Sequence, residues 1–133
     1  MRRVVADASA LAEYLLGTTR AGAIATIVEA EDVELHAPSL CDVEVAAVVR
    51  RALLSKRLRD NRAAEAILDY LDLPLTRHGH TMLITRVIQL RTNFSAYDAT
   101  YIALAERLSA EFLTADDALG RAARSHSSVS ILP

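Results

Sequence analysis

Short apolar runs alternate with segments of helical periodicity along the chain of 133 residues. The apolar run 4–6 is followed by Ala10, Leu11, Tyr14 and Leu15, which recur at the spacing of one helix face. Further strands are predicted at 35–37, 111–114 and 129–132, and further helices at 19–31, 39–57, 60–71, 79–91, 97–108 and 118–124. Strands that alternate with helices are typical of an α/β fold. We therefore expect a three-layer α/β/α sandwich around a mostly parallel central sheet.

The length and composition fit one domain. With 52% hydrophobic residues the chain can bury a single sizeable core, and no repeat, low-complexity tract or linker divides it. We expect one domain over residues 1–133, in which segment 73–75 is too short to assign. Ser39 is predicted to cap the helix that follows it, and Asn93 or Ser95 the helix 97–108.

Cysteine content and hydropathy indicate a reducing compartment. Cys41 is the only cysteine, so it cannot form an internal disulfide, and we expect it to be a small buried side chain. No segment resembles a signal peptide, and no apolar run reaches the ~18 residues of a membrane span. These features predict a cytoplasmic protein without a membrane partner.

Four acidic residues lie at strand ends and helix starts. Asp7 follows the first predicted strand and Asp116 follows strand 111–114. Glu44 lies in the first two turns of its helix and Asp98 in the first turn of its own. Ligands of open α/β sheets bind at the carboxyl ends of parallel strands, where these positions should meet. The sequence therefore predicts one acidic cleft at this edge.

Each acid also has a purely structural interpretation. Asp7 and Asp116 could simply cap the helices that follow them. Glu44 and Asp98 are harder to explain, because apolar residues surround them and no basic residue lies three or four positions away. Buried unpaired carboxylates cost several kcal/mol. A shared cation would compensate both.

Clustered carboxylates favour a hard metal ion. Two negative charges about 5 Å apart repel by roughly 3 kcal/mol at an effective dielectric constant near 20. Mg²⁺ and Mn²⁺ prefer oxygen ligands, and carboxylate-held ions of this kind support phosphoryl transfer. Phosphodiester hydrolysis is therefore the leading hypothesis. Ser9 and Thr114 could orient carboxylates or a metal-bound water, or could act as local caps.

Other polar and aromatic residues receive less specific interpretations. His78 and His80 flank Gly79 and are interpreted as surface histidines, because no third metal ligand lies at a suitable spacing. Tyr97 and Tyr101 could stack on a base, but their helical spacing favours a role in the core or in a dimer.

Basic residues concentrate in one short stretch. The formal net charge is −2, and two bound divalent cations would make the protein slightly positive, so a nucleic-acid ligand is not excluded. The residues of the stretch are Arg50, Arg51, Lys56, Arg57, Arg59 and Arg62. They form either a solvated helix face and turn or an edge that contacts phosphates or a partner.

Four blocks of sequence follow one another along the chain. They are Val5-Ala6-Asp7-Ala8-Ser9-Ala10-Leu11, Ala37-Pro38-Ser39 with Glu44, Tyr97-Asp98-Ala99 with Tyr101-Ile102-Ala103-Leu104-Ala105-Glu106, and Leu113-Thr114-Ala115-Asp116 with Leu119. Together they resemble the PIN domain and, more narrowly, the VapC-type ribonuclease toxins of prokaryotic toxin-antitoxin pairs. Their order and spacing match along essentially the whole chain. Ser109 is a mild departure, because many members have glycine there.

The resemblance implies Mg²⁺- or Mn²⁺-dependent cleavage of RNA, homodimerisation, and inhibition by a small VapB-type antitoxin in a larger complex. The acidic set of the family falls on Asp7, Glu44, Asp98 and Asp116, the polar helper positions fall on Ser9 and Thr114, and Asp117 is an auxiliary candidate. Asp117 also has Arg121 four residues on as an ordinary helical partner. The resemblance does not indicate which RNA is cleaved.

Two other functions and one partner surface remain open. The same acids could cleave DNA, since no residue is identifiable as a reader of the 2′-hydroxyl. A non-catalytic binding module on the same scaffold would be expected to have lost its acids. Leu11, Tyr14 and Leu15, with the apolar faces of 19–31 and 39–58, could form a groove for an antitoxin, whose arginine could reach the acidic cleft.

Overall fold

The computed structural model describes residues 1–133 and contains one five-stranded sheet in which all neighbouring strands are parallel. The strands are β1 (Arg2–Ala6), β2 (Val33–Pro38), β3 (Leu75–His78), β4 (Glu111–Leu113) and β5 (Ile131–Leu132). They lie in the order β3-β2-β1-β4-β5. The predicted α/β fold with a parallel sheet is confirmed.

Helices connect the strands on both faces of this sheet. They are α1 (Ala8–Leu16), α2 (Ala21–Val28), α3 (Leu40–Leu54), α4 (Asp60–Asp72), α5 (Ile84–Gln89), α6 (Ala96–Leu108) and α7 (Asp117–His126). The chain steps toward one edge from β1 through β3, and toward the other edge from there to β5. Because such crossovers are right-handed, α1 to α4 lie on one face and α5 to α7 on the other.

The core lies around the central strand. Val4, Val5 and Ala6 of β1 are completely buried, and α6 packs across β1, β2 and β4. One cluster of 31 buried hydrophobic residues joins the sheet to its helices. The cluster agrees with a single core, while the assignment of residues 1–133 to one domain stays a prediction. None of the helices combines the length and apolar character that crossing a membrane requires.

The predicted antitoxin groove on α1 is wrong for two of its three residues. Leu11 and Leu15 are buried in the core, and only Tyr14 is partly exposed. The reason is that α1 packs against α2, α3 and α4 together, so its apolar face is already covered.

Two elements differ from the sequence prediction. Segment 73–75 was too short to assign, yet β3 begins at Leu75 and pairs with β2 at the sheet edge. Thr76 and Arg77 in this strand are both exposed, so alternation of polar and apolar residues is absent. The predicted helix 79–91 is divided into a 3₁₀ turn at Thr81–Leu83 and the shorter α5.

The histidines interpreted as surface residues have structural partners instead. Nδ1 of the buried His36 lies 2.9 Å from Nε2 of His78. Nε2 of His80 accepts a hydrogen bond from the backbone N–H of Leu40 at 3.0 Å and so caps α3. The predicted cap by Ser39 is wrong, because its hydroxyl donates to the carbonyl of His78.

Other local predictions agree with the structure. Cys41 is free and fully buried. Ser95 caps α6 by accepting from the N–H of Asp98 at 3.1 Å. Tyr101 is a core residue at 2% exposure, whereas Tyr97 on the same helix is 66% exposed and does not belong to the core.

Candidate active site

The four predicted acids line one cleft at the carboxyl ends of β1 and β4. The direction of the chain connections reverses between these two strands, which is where open α/β sheets form ligand sites. The cleft has a volume of about 270 Å³. Its lining comprises Asp7, Ala8, Ser9, Glu44, Ala47, Val48, Arg51, Asp98, Tyr101, Asp116 and Leu119.

Asp7 is held at the end of β1 through both carboxylate oxygens. Oδ1 accepts from the Ser9 hydroxyl at 2.6 Å and from the Ala10 N–H at 2.9 Å, which makes Asp7 the N-cap of α1. Oδ2 accepts from the Thr114 hydroxyl at 2.6 Å. The sequence left open whether Asp7 caps α1 or belongs to the acidic cleft. In the structure the same side-chain conformation does both.

The charge on Asp7 is costly in this position. Burial raises the pKa of Asp7 from 3.8 to about 6. The hydrogen bonds from Ser9, Thr114 and Ala10 lower the pKa, while the neighbouring Asp116 raises it further. A cation in the cleft would favour the ionised carboxylate.

The two predicted helper hydroxyls connect Asp7 to the loop after β4. The Ser9 oxygen also accepts from the Ala115 N–H, and the Thr114 oxygen accepts from the Asp116 N–H, both at 3.0 Å. The two hydroxyl oxygens lie 3.3 Å apart. The position of Asp116 is therefore coupled to that of Asp7 through hydroxyl groups.

Asp116 belongs to the cleft and also caps α7, where its Oδ1 accepts from the Leu119 N–H at 3.0 Å. A residue that the sequence did not indicate holds this loop. The Arg20 guanidinium donates to the Ala115 carbonyl and to Asp117 Oδ2, each at 2.7 Å.

Asp117 lies outside the acidic cleft. Its carboxylate lines a neighbouring cavity together with Arg20 and Arg124. The hydrogen bond and charge of Arg20 lower the pKa of Asp117, with smaller effects from Arg121 and Arg124. The ion pair is formed with Arg20 and not with the expected helical partner Arg121.

Glu44 and Asp98 complete the cleft from α3 and α6. Glu44 Oε1 accepts from the Tyr101 hydroxyl at 2.5 Å. Burial raises the pKa of Glu44, against the lowering effect of Tyr101, and Asp98 raises it further. Burial likewise raises the pKa of Asp98, as does the charge of Asp116. Tyr101 lies one helical turn after Asp98, and this spacing was the only sequence signal for its role.

None of the four acids forms an ion pair with a protein side chain. All ion pairs within 4.0 Å involve other carboxylates, and Arg51 is the single basic residue in the lining. Four carboxylates and one guanidinium give the cleft a net charge of −3 when all are ionised. Such an oxygen-rich donor set fits a hard divalent cation.

The four carboxylates face the same cleft, but in this structure they are not close enough together to act as ligands of one metal ion. No three His, Cys, Asp or Glu side chains are arranged to hold a metal ion in this structure. Carboxylates brought closer repel one another by several kcal/mol in the absence of a compensating charge. Binding of one ion by three of them would therefore require side-chain movement.

Comparisons with known proteins agree with this architecture. The PIN domain family model matches residues 4–125. Ribonuclease VapC12 of Mycobacterium tuberculosis is 36% identical over 123 residues, which is 92% of each chain. Ribonuclease VapC9 of the same organism is 35% identical over 130 residues, which is 98% of each chain.

Solved structures support the fold. PAE2754 from Pyrobaculum aerophilum has a TM-score of 0.73 at 19% identity, over 98% of this chain and 83% of that protein. Mycobacterium tuberculosis VapC20, described as a sarcin-ricin loop cleaving toxin, has a TM-score of 0.71 at 16% identity, over 98% and 99%. The family model matches most of the sequence, and both relatives are more than 30% identical over more than nine-tenths of it. This chain therefore belongs to the PIN domain family and, within it, to the VapC ribonucleases.

Proposed function

We propose that this protein is a metal-dependent endoribonuclease and the toxin of a toxin-antitoxin pair. The observation that carries the proposal is the set of four carboxylates, unpaired with any protein cation, that line one cleft in a chain of the VapC ribonuclease family. The names of the relatives support RNA as the substrate.

Asp7 and Asp98 would hold one divalent cation, and Glu44 and Asp116 would complete its site or hold a second ion. When bound, Mg²⁺ or Mn²⁺ supplies Lewis-acid activation of a water and charge stabilisation at the phosphodiester. A phosphodiester anion would be repelled by the cleft at a net charge of −3, so bound cations also make its entry favourable.

The protein side chains of the cleft position the reacting groups. Ser9 and Thr114 donate their hydroxyl protons to Asp7 and accept hydrogen bonds from backbone N–H groups of the loop after β4, so both hold the carboxylate and this loop in place. Tyr101 orients Glu44 by its hydrogen bond. No Cys, Lys or His lines the cleft, and we propose that water, and not a protein side chain, attacks the phosphorus atom.

The test compares single-stranded RNA and DNA of the same sequence, each labelled at the 5′ end, with Mg²⁺ and with excess EDTA. We expect cleavage of RNA with Mg²⁺ only, and no cleavage by Asp98→Asn that remains folded by circular dichroism. Equal cleavage of DNA would favour the DNA nuclease alternative. Metal binding without turnover of either polymer would favour the non-catalytic module.

We further propose a VapB-type antitoxin as inhibitor, with an arginine that enters the acidic cleft in place of metal. The net charge of the cleft supports this mode of inhibition. The product of the neighbouring gene, mixed with the purified protein, should suppress RNA cleavage and co-elute on size exclusion. Absence of a complex would contradict the proposal.

A homodimer is supported by an exposed apolar face. Val43 is 72% exposed and Tyr97 66%, and both line a groove of about 620 Å³ with Leu40 and His80. Exposed apolar surface of this kind is typical of an interface. Light scattering should give twice the mass of 14.5 kDa, and a monomer at micromolar concentration would exclude a stable dimer. Cytoplasmic location follows as part of the same proposal, since the RNA targets are there.

A further inference from the structure

The basic residue of the acidic cleft is not used by the proposed mechanism. Arg51 lies on α3 seven residues after Glu44, which is about 10 Å further along the helix axis. Residues at this spacing lie on nearly the same face of a helix, and both line the cleft. The stretch from 50 to 62, which the sequence left open between a solvated face and a phosphate contact, therefore contributes one residue to the site.

The guanidinium of Arg51 is free to bind a ligand. It forms no ion pair within 4.0 Å and no side-chain hydrogen bond, although four carboxylates line the same cleft. Two other arginines of the stretch have partners, since Arg57 donates to the Ser55 hydroxyl and Arg62 donates to the Leu15 carbonyl. The Cα–Cβ bonds of a helix tilt toward its N-terminus, which for Arg51 is the end of α3 that carries Glu44, and Arg51 lines the same cleft as the acids.

The space between the acids and Arg51 suits an extended chain. Ala47 and Val48 separate Glu44 from Arg51 along the cleft, and both are small enough to leave the cleft open. Arginine binds a phosphate through two parallel hydrogen bonds, and it cannot ligate a metal ion. A phosphodiester at the acids and a second phosphate at Arg51 would lie along the same helix face.

We propose that Arg51 binds a phosphate of the RNA backbone next to the scissile one, so that the substrate runs along α3 past Glu44. This inference rests on the proposed ribonuclease function and specifies where the substrate lies. Arg51 is thus a substrate-binding residue outside the acidic set. It fixes which side of the acids the RNA chain follows.

Arg50 provides a matched control. It lies on the same helix with the same charge, forms no ion pair, is exposed, and does not line the cleft. The test measures kcat and KM of wild type, Arg51→Gln, Arg51→Lys and Arg50→Gln on a single-stranded RNA oligonucleotide, between 50 and 200 mM NaCl.

We expect Arg51→Gln to raise KM about tenfold with kcat within about twofold of wild type, because a charge-assisted phosphate contact is lost. The plot of log(1/KM) against log[NaCl] should become shallower by about 0.7, the value for one phosphate contact on a single strand. Arg51→Lys should keep the wild-type slope with a smaller rise in KM, since it keeps the charge without the paired donors. Arg50→Gln should change KM less than twofold.

Equal effects of Arg51→Gln and Arg50→Gln would overturn the inference, as would a fall in kcat at unchanged KM. Fluorescence anisotropy with the same oligonucleotide separates it from the proposed function. In the Asp98→Asn background, Arg51→Gln should weaken RNA binding about tenfold and Arg50→Gln should not. If wild type cleaves no RNA, the proposed function fails, and this binding comparison still decides whether Arg51 contacts the backbone.

Discussion

Asp7 is the most buried acid of the cleft, with 5% of its surface exposed. Two hydroxyls and one backbone N–H hold its oxygens, yet burial still raises its pKa to about 6. Hydrogen bonds alone therefore do not compensate the lost solvation. At neutral pH the folded protein carries an unfavourable charge at the position where the proposed cation would bind.

This charge predicts a pH dependence of stability. The folded-state pKa of Asp7 is raised from 3.8 to about 6, so the folded protein binds more protons than the unfolded chain between these values. The contribution of protonated Asp7 to the free energy of unfolding is therefore complete below about pH 4, and it is lost as the pH rises through about 6.

In urea unfolding with EDTA, the stability of wild type should fall by about 1 kcal/mol more than that of Asp7→Asn between pH 5 and pH 8. Comparison of each variant with itself at the two pH values cancels any fixed cost of the substitution. Equal pH dependence of the two proteins would show that Asp7 does not carry the raised pKa.

Tyr101 orients Glu44 from inside the core. The hydroxyl is the only hydrogen-bond donor to this carboxylate, so Tyr101→Phe should lower kcat by about three- to tenfold and cost about 1 kcal/mol of stability. Tyr97→Phe is the control, because Tyr97 is on the same helix and largely exposed. An unchanged kcat in Tyr101→Phe would show that the Tyr101 hydroxyl does not orient Glu44 for catalysis.

Among the helices, α3 contributes both a carboxylate and a guanidinium to the cleft, because it carries Glu44 and Arg51. Its first N–H groups need acceptors, and the loop after β3 supplies one through His80. The sequence indicated Ser39 for this role, since serine is a common N-cap, but the backbone of Ser39 is already helical, with φ −57° and ψ −28°. A side chain 40 residues away could not be identified from local sequence.

His80→Ala should therefore destabilise the protein by about 1 kcal/mol, the usual cost of a lost N-cap, whereas Ser39→Ala should cost less than about 0.5 kcal/mol. Chemical unfolding of the two variants at pH 8 measures both values. A larger loss for Ser39→Ala would mean that Ser39, and not His80, stabilises the start of α3.

Element prediction succeeded where periodicity was strong and failed at the sheet edge. The core strand β1 was recognisable because Val4, Val5 and Ala6 form an apolar run that Asp7 ends. In β3, by contrast, Thr76 and Arg77 are exposed, and only pairing with β2 makes the segment a strand. Such pairing is a tertiary effect without a local pattern.

At the scale of the whole molecule, the parallel sheet brings the acids together. Asp7 and Asp116 follow neighbouring strands, and the starts of α3 and α6 place Glu44 and Asp98 over the same edge. This convergence was predictable, because it depends only on strand direction and on helix starts. The support from Arg20 was not, since Arg20 precedes α2 and contacts a loop 95 residues later.

Binding of a divalent cation by these four carboxylates is the proposal on which the mechanism depends. Crystals soaked in Mn²⁺ and measured at the manganese absorption edge would locate such an ion. We expect an anomalous peak in the cleft, about 2.1 Å from oxygens of at least two among Asp7, Glu44, Asp98 and Asp116, with no peak in Asp98→Asn at the same concentration. A manganese ion bound elsewhere, or an empty cleft in crystals that still cleave RNA, would show that the carboxylates do not form the metal site.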